Sequence, residues 1–340
     1  MTIDPGTTDP TRRLAPVVRL APAKLNLTLA VLGRRGDGFH DLHSVMVPLA
    51  LADRLSVALA PSASADSLHR TGFDAGPIGD DLVLRALSET RSAVGAGWGG
   101  MGPPPWLATR LEKRIPVAAG LAGGSSDAAA AMDAAVEAWG AELDDETRSR
   151  VAARLGSDVP FFFARGPALV EGRGERVTPL PWLRDAGTPG VLLATPPIAV
   201  STARVFAAHA GGIRSLGGAA RLASEHLASE LRGGLDAREL LVRASVLASA
   251  NDLAAAADAV APELVPFRRA LRRVIATPVG LSGSGPTHWA LYPSLDDAEA
   301  AAAAVRDAVA DGRIPSPGGG SPFITATTIR PTGDSSRTTS

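Results

Sequence analysis

Pro116-Val117-Ala118-Ala119-Gly120-Leu121-Ala122-Gly123-Gly124-Ser125-Ser126 runs without a break into the Ala-rich segment Asp127–Trp139. Small residues let the backbone approach a ligand closely, and successive N–H groups can form a nest for an anion. The segment that follows reads as a helix, and a helix begins with unpaired N–H groups at the positive end of its dipole. Loop and helix together describe a phosphate cradle. Ser125 and Ser126 add hydroxyls for a phosphate or a magnesium ion. Taken alone, such a loop is equally well read as a flexible turn capped by serine. It is not a Walker loop, because the chain contains no Gly-Lys pair. No Gly-x-Gly-x-x-Gly follows a strand at this point, and neither His-Glu-x-x-His nor Gly-x-Ser-x-Gly occurs.

Three further stretches bear on the loop. Leu281-Ser282-Gly283-Ser284-Gly285-Pro286-Thr287 is a second small-residue loop between two strand-like runs. By itself it is a hairpin turn; paired with the first it can face one polyphosphate. Gly156-Ser157-Asp158-Val159-Pro160 sets an aspartate beside the apolar run Phe161–Phe163. A carboxylate against a low-dielectric wall suits the acceptance of a hydroxyl proton in phosphoryl transfer, while a lone aspartate is more often a turn or cap residue. Ala21-Pro22-Ala23-Lys24-Leu25-Asn26 alternates like a strand, so Lys24 and Asn26 share a face. Of the 34 basic residues only Lys24 and Lys113 are lysine, so each lysine asks for a reason. Lys24 can orient a substrate hydroxyl and favour an ionised aspartate. His40 and His43 are close in sequence but lack neighbours at metal-site spacing, and a metal pair is not adopted.

Around these stretches the pattern is mixed. Val17–Leu20, Lys24–Leu29, Val45–Leu51, Arg54–Leu59 and Trp106–Leu111 read as strands, and Ser62–Gly79 as a surface connection. Leu82–Val94, with Asp80 or Asp81 as its cap, and Asp145–Leu155 read as helices. Ala168–Val170 and Glu175–Val177 form a hairpin. Pro179–Pro189 is rich in Pro and Gly and marks a domain boundary. Beyond it come a strand at Gly190–Ala194 and helices at Ser201–His209, Ser215–Arg232, Ala237–Val246 and Asn251–Val274. Strands near Val279–Leu281, His288–Tyr292 and Phe323–Arg330 complete the pattern. The expected division is a flexible extension over 1–16, domains over 17–185 and 186–331, and a disordered tail over 332–340.

The chain has 340 residues, enough for two packed domains, with 45% hydrophobic and 20% charged residues. A net charge of -1 gives none of the basic excess of a nucleic-acid binder. With no cysteine, disulfides, thiolate zinc sites and cysteine nucleophiles are excluded, and the composition fits the cytoplasm. No secretory signal is read at the N-terminus, and no apolar run is long enough for a bilayer.

In this order, Pro22-Ala23-Lys24-x-Asn26, Gly120-Leu121-x-Gly123-Gly124-Ser125-Ser126 and Ser282-Gly283-Ser284-Gly285-Pro286-Thr287 resemble the GHMP kinase superfamily. Gly33–Leu42, with its Gly36-Asp37-Gly38-Phe39-His40, then Gly156–Phe163, Val200–Phe206 and Asn251-Asp252-Leu253 narrow the likeness to the kinases of 4-diphosphocytidyl-2-C-methyl-D-erythritol, in non-mevalonate isoprenoid synthesis. The likeness spans about Val17 to Arg330. It implies an α+β, two-domain GHMP kinase fold with the active site in the interdomain cleft. It also implies transfer of the ATP γ-phosphate to the acceptor's 2-hydroxyl, with Mg²⁺.

By position, Asp158 matches the family's catalytic base and Lys24 its partner. Pro116, Ala118 and Gly120 to Ser126 match the nucleotide site, with Ser126 toward the metal. Asn26, Phe39, His40, Thr202, Phe206, Gly283 and Ser284 match the acceptor site, where Phe39 and Phe206 stack on cytosine and His40 bonds its edge. Aromatic residues are only 4% of the chain, which lends weight to two flat faces, although each Phe alone is more often core. Two departures stand out. Phe39 replaces the usual Tyr and loses its hydroxyl, and Ala122 replaces a usual Gly, so that position must avoid positive φ or be strained. The alternatives are a related kinase acting on homoserine or mevalonate, which has no cytosine to hold, and a non-catalytic binding protein, which has no need of Lys24, Asp158 and the serine loop together.

Overall fold

The computed structural model describes residues 15–78, 81–95, 103–184, 187–212 and 218–330. The expected N-terminal extension up to residue 14, the C-terminal tail, Asp80 as a cap, the start of the Ser215 helix and residues 185–186 at the boundary lie outside these.

Alternating burial builds the first sheet. Its seven strands are β1 (Val17–Asn26), β2 (Ala30–Arg34), β3 (His40–Leu59), β4 (Ser67–Gly72), β5 (Leu107–Lys113), β6 (Ala168–Gly172) and β7 (Arg176–Pro179). In β5 every second side chain is buried, the period of a strand with one face on the core. β3 is the spine. It pairs with β2 and β6 through its first residues, with β1 along most of its length, and with β5 through Arg54–Leu59.

Three expectations are corrected in this sheet. Val17–Leu20 and Lys24–Leu29 are one strand, β1, which ends at Asn26. The separate strands Val45–Leu51 and Arg54–Leu59 are one 20-residue strand, because Pro48 sits opposite Lys24 at a shift in the β1 register. A shift of this kind tolerates a residue with no N–H. The surface connection Ser62–Gly79 contains β4, which runs parallel to β5.

Three helices serve this sheet: α1 (Leu82–Gly95), α2 (Gly123–Ala138) and α3 (Asp145–Leu155). Alanine lets α2 lie close on the sheet; Ala128, Ala131, Ala134 and Ala135 are buried against Leu55, Val57 and Leu111. Asp144 caps α3 by accepting the Thr147 N–H.

The second sheet is β8 (Gly190–Thr195), β9 (Gly280–Leu281), β10 (His288–Tyr292) and β11 (Phe323–Thr328), in the order β11-β8-β10-β9. Its helices are α4 (Thr202–Ala210), α5 (Ala219–Arg232), α6 (Ala237–Val242), α7 (Ala244–Ser249), α8 (Ala254–Val260), α9 (Leu264–Ile275) and α10 (Leu295–Ala310). The expected helix Asn251–Val274 is two, because Pro262 disfavours helical backbone at Ala261 before it. The expected Ala237–Val246 is also split, at Arg243. α10 was not anticipated; Ser294 caps it by accepting the Asp297 N–H.

One buried cluster joins the sheets. Leu25, Val45 and Val47 of the first pack with Val191, Leu193 and Trp289 of the second and with Leu227 and Leu231 of α5. β11 also reaches β3 directly: Leu49 bridges Ile329, and the Leu51 N–H donates to Thr327 Oγ1 (2.9 Å). No helix among the described residues is long and apolar enough to cross a membrane.

Candidate active site

The two small-residue loops meet. Gly120 has φ +76, and a Cβ there would lie 2.4 Å from the Ser282 carbonyl oxygen, so only glycine lets the two loops approach. Ser282 Oγ donates to the Gly120 carbonyl (3.0 Å), and the Thr287 N–H donates to Ala119 O (3.3 Å). The Asn251 amide, in the Asn251-Asp252-Leu253 motif, holds the second loop by donating to Leu281 O and Gly283 O, both at 2.9 Å.

Lys24 lies at this junction. Its N–H donates to Leu121 O, and its Nζ donates to Gly120 O (3.0 Å) and Asn26 Oδ1 (2.6 Å). Asn26 in turn donates to Ser44 Oγ (2.9 Å), which donates to Thr28 O. The Lys24 ammonium is 3.9 Å from the Asp158 carboxylate, and the side chains are 5% and 33% exposed. Burial lowers the Lys24 pKa and the Asp158 charge opposes this. One buried cation thus faces one half-open carboxylate, with the Gly120 carbonyl and Asn26 fixing the cation.

The loop itself enters α2 at Gly123. Ala122 adopts the left-handed conformation at φ 55, ψ 32, and Ala118 does so at φ 54. Of the two outcomes expected for Ala122, avoidance of positive φ or strain, the second is found: the helix entry takes this turn, and an L-residue adopts it at a cost. Ala122, Gly123, Gly124 and Ser125 line the cavity along with Pro116, Ala118 and Gly120. Leu121 is instead a core residue at 0% exposure. Ser126 Oγ is buried with no hydrogen-bond partner.

Beneath the loop is a group the sequence reading missed, apart from its question about Lys113. Lys113 Nζ pairs with Asp53 and with Asp127 Oδ2 (2.6 Å), all three being buried. Asp53 also accepts the Ile115 N–H (2.8 Å). The Asp127 carboxyl is pushed well up by burial, with Lys113 opposing and Asp53 adding to the rise. A Cβ on Gly123 would come 3.2 Å from Lys113 Nζ, so this triad is the floor of the loop.

The cavity has a volume of about 1340 Å³, more than the 300–1,000 Å³ that is typical for one small ligand, and so has room for two reactants. Its far wall carries Phe39, His40 and Phe206. His40 stacks on Phe206 with centroids 5.0 Å apart at 25°, and its Nε2 is buried without a partner. Burial, aided by His209 and Arg34, lowers its pKa. The Phe206 face is thus covered by His40, while Phe39 is 47% exposed with the Arg173 guanidinium 5.2 Å over its ring. Thr202 and Ser284 bond through their hydroxyls at 2.8 Å, and with Gly283 they line the space between wall and Lys24. His43 turns to Ser224 of α5 (2.8 Å).

An anion loop without a Walker lysine, running into a helix and closed by a second glycine loop over a Lys–Asp pair, defines the GHMP kinase class. The family descriptions "GHMP kinases N terminal domain" and "GHMP kinases C terminal" match residues 81–166 and 236–311. A 4-diphosphocytidyl-2-C-methyl-D-erythritol kinase of Pelotomaculum thermopropionicum is 37% identical over 293 residues, covering 85% of this chain and 94% of that protein. One of Symbiobacterium thermophilum is 46% identical over 184 residues, 54% of this chain and 61% of that protein. A crystal structure of 4-(cytidine 5'-diphospho)-2C-methyl-D-erythritol kinase superposes with a TM-score of 0.64 at 32% identity, covering 92% of this chain and 99% of that one. The chain belongs to the 4-diphosphocytidyl-2-C-methyl-D-erythritol kinase family.

Proposed function

We infer that this chain transfers the γ-phosphoryl group of ATP to the 2-hydroxyl of 4-diphosphocytidyl-2-C-methyl-D-erythritol, in the cytoplasm. The observation that carries the reading is one continuous cavity with a phosphate loop and the Lys24–Asp158 pair at one end and the Phe39–His40–Phe206 wall at the other. A flat base at the wall leaves the rest of the acceptor to reach Asp158.

Phosphoryl transfer needs positioning and charge stabilisation more than covalent help. The N–H groups at the start of α2 receive the nucleotide phosphates, and the dipole of its 16 residues adds to their field. Asp158 takes or orients the hydroxyl proton. Lys24, fixed by Gly120 and Asn26, holds that carboxylate in place from 3.9 Å. Mg²⁺ supplies charge neutralisation on the phosphates when bound. Ser126 fits it, since its buried hydroxyl lacks a partner. No group of three or more His, Cys, Asp or Glu is assembled for a metal among the described residues, which suits an ion carried by the nucleotide.

The test is ATP consumption by the purified protein with Mg²⁺, using 4-diphosphocytidyl-2-C-methyl-D-erythritol, homoserine and mevalonate in turn. Turnover with the cytidyl acceptor alone is the expected result. Turnover with another alcohol instead would discard the base wall, and no turnover at all would leave a binding protein.

A further inference from the structure

Most charges in the cavity are already matched. Lys24 faces Asp158, Lys113 is held by Asp53 and Asp127, and Asp81 takes Arg70. Two cations that line the same cavity, Arg34 and Arg173, are in no ion pair among the described residues. Both stand at the flat wall. Arg34 is opposite His40 in the β2–β3 register, and Arg173 lies over the Phe39 ring.

The carboxylates nearby, Asp37, Asp41 and Glu175, gather on Arg35, and Asp37 also feels the Arg173 charge, but none is within ion-pair distance of Arg34 or Arg173. Asp37 binds Arg35 and the Phe39 N–H (3.2 Å), Asp41 binds Arg35, and Glu175 accepts the Arg173 backbone N–H (2.7 Å). Arg173 is held in place by donating one Nη2 bond to Ala153 O (2.9 Å), which leaves further guanidinium donors unused. Guanidinium groups with unused donors beside an aromatic face fit a ligand that is flat at one end and anionic next to it.

We propose that Arg34 and Arg173 form a second anion site, at the acceptor end of the cavity, which takes the diphosphate of a cytidine diphosphate acceptor, and that Arg173 also holds the Phe39 ring for the base. The inference rests on the acceptor assigned under Proposed function. It separates the two phosphate-bearing reactants: backbone N–H groups and a helix end serve the donor, and two arginines serve the acceptor. It also gives the Phe39 departure a partner. A ring without a hydroxyl has no polar anchor, and the cation–π contact with Arg173 supplies a restraint.

The experiment is calorimetric binding of cytidine, CMP and CDP to the full chain and its variants, with ATP binding as the check that each is folded. The wild-type protein is expected to bind CDP at least tenfold more tightly than cytidine, as charge-assisted bonds of about 1.5–3 kcal/mol imply, with an advantage that shrinks as salt is raised. In Arg34→Gln/Arg173→Gln that advantage is expected to collapse, with ATP binding kept. Arg173→Lys is expected to keep a CDP preference yet bind cytidine several-fold more weakly, because an ammonium does not stack on Phe39 as a planar guanidinium does. If the double variant does not fold, Arg34→Gln at its exposed position carries the test with part of the same loss. A full CDP advantage in the folded variants would overturn this inference and leave the proposed function standing. Failure of the wild-type protein to bind any cytidine nucleotide would overturn the acceptor assignment itself.

Discussion

Asp158 and Lys24 differ in burial, and the difference decides what each can do. Lys24 is locked by two hydrogen bonds and shielded from water, so it acts on its neighbour rather than on solvent. Asp158 is open enough to meet a hydroxyl. Asp158→Ala is expected to lower kcat by about 10²–10⁴-fold, the usual worth of a general base, with little change in ATP affinity. Lys24→Ala should act in the same direction. Steady-state kinetics with ATP binding measured separately checks both, and near-normal turnover would remove these roles. Phe39→Ala tests the wall independently: the acceptor KM is expected to rise tenfold or more, since base stacking contributes about 1–3 kcal/mol. At Ala122 the left-handed backbone leads to a stability effect. Ala122→Gly is expected to raise stability by about 1 kcal/mol in urea unfolding, because glycine takes φ 55 without a Cβ clash.

At the scale of elements, the phosphate loop is set by what lies under it. β3, β5 and α2 each send one side chain into the Lys113 triad, so the end of β5 and the start of α2 are pinned on the spine of the sheet. Lys113→Met would leave two buried carboxylates unpaired. A loss of about 3–5 kcal/mol is expected, read from the urea midpoint. This triad shows what was legible and what was not. The loop, the lysines and Asp158 stand out in sequence because small residues, rare residues and a Pro-Phe run are local signals. That Asp53 meets Asp127 depends on a pairing across 74 positions of chain, which no local pattern carries. The long β3 was read as two strands because Pro48 looks like a break, and only the register shift opposite it shows why it is tolerated. α10 was missed although its Ser294 cap and acidic first turn were there to be read. The base wall was located through resemblance, but the stacking of His40 on Phe206 and of Arg173 on Phe39 depends on side-chain packing between distant elements.

At the scale of the whole molecule, the shared core couples the two sheets, so a group buried in either one bears on the stability of both. His288 of β10 is one such group. It is fully buried beside Phe267, and neither ring nitrogen has a hydrogen-bond partner of good geometry. Burial pushes its pKa down to about 3, the Arg268 charge adds to this, and the Pro286 backbone only partly offsets it. In the unfolded chain the same ring titrates at about 6.5. Between these values the unfolded state binds one more proton than the folded state, so each unit of acidification costs about 1.4 kcal/mol. The stability that a neutral His288 allows is complete above pH 6.5 and is lost as pH falls toward 3. His40 and His43 are lowered by burial as well and steepen the loss in the same direction. From pH 6.5 to 5, His288 alone is expected to cost about 2 kcal/mol in urea unfolding. His288→Gln removes the titration and should flatten the slope between these pH values, whatever its effect on absolute stability. Because the sheets share their core, far-ultraviolet circular dichroism and the fluorescence of the five tryptophans, among them the buried Trp139 in the first half and Trp289 in the second, should give one coincident transition at each pH.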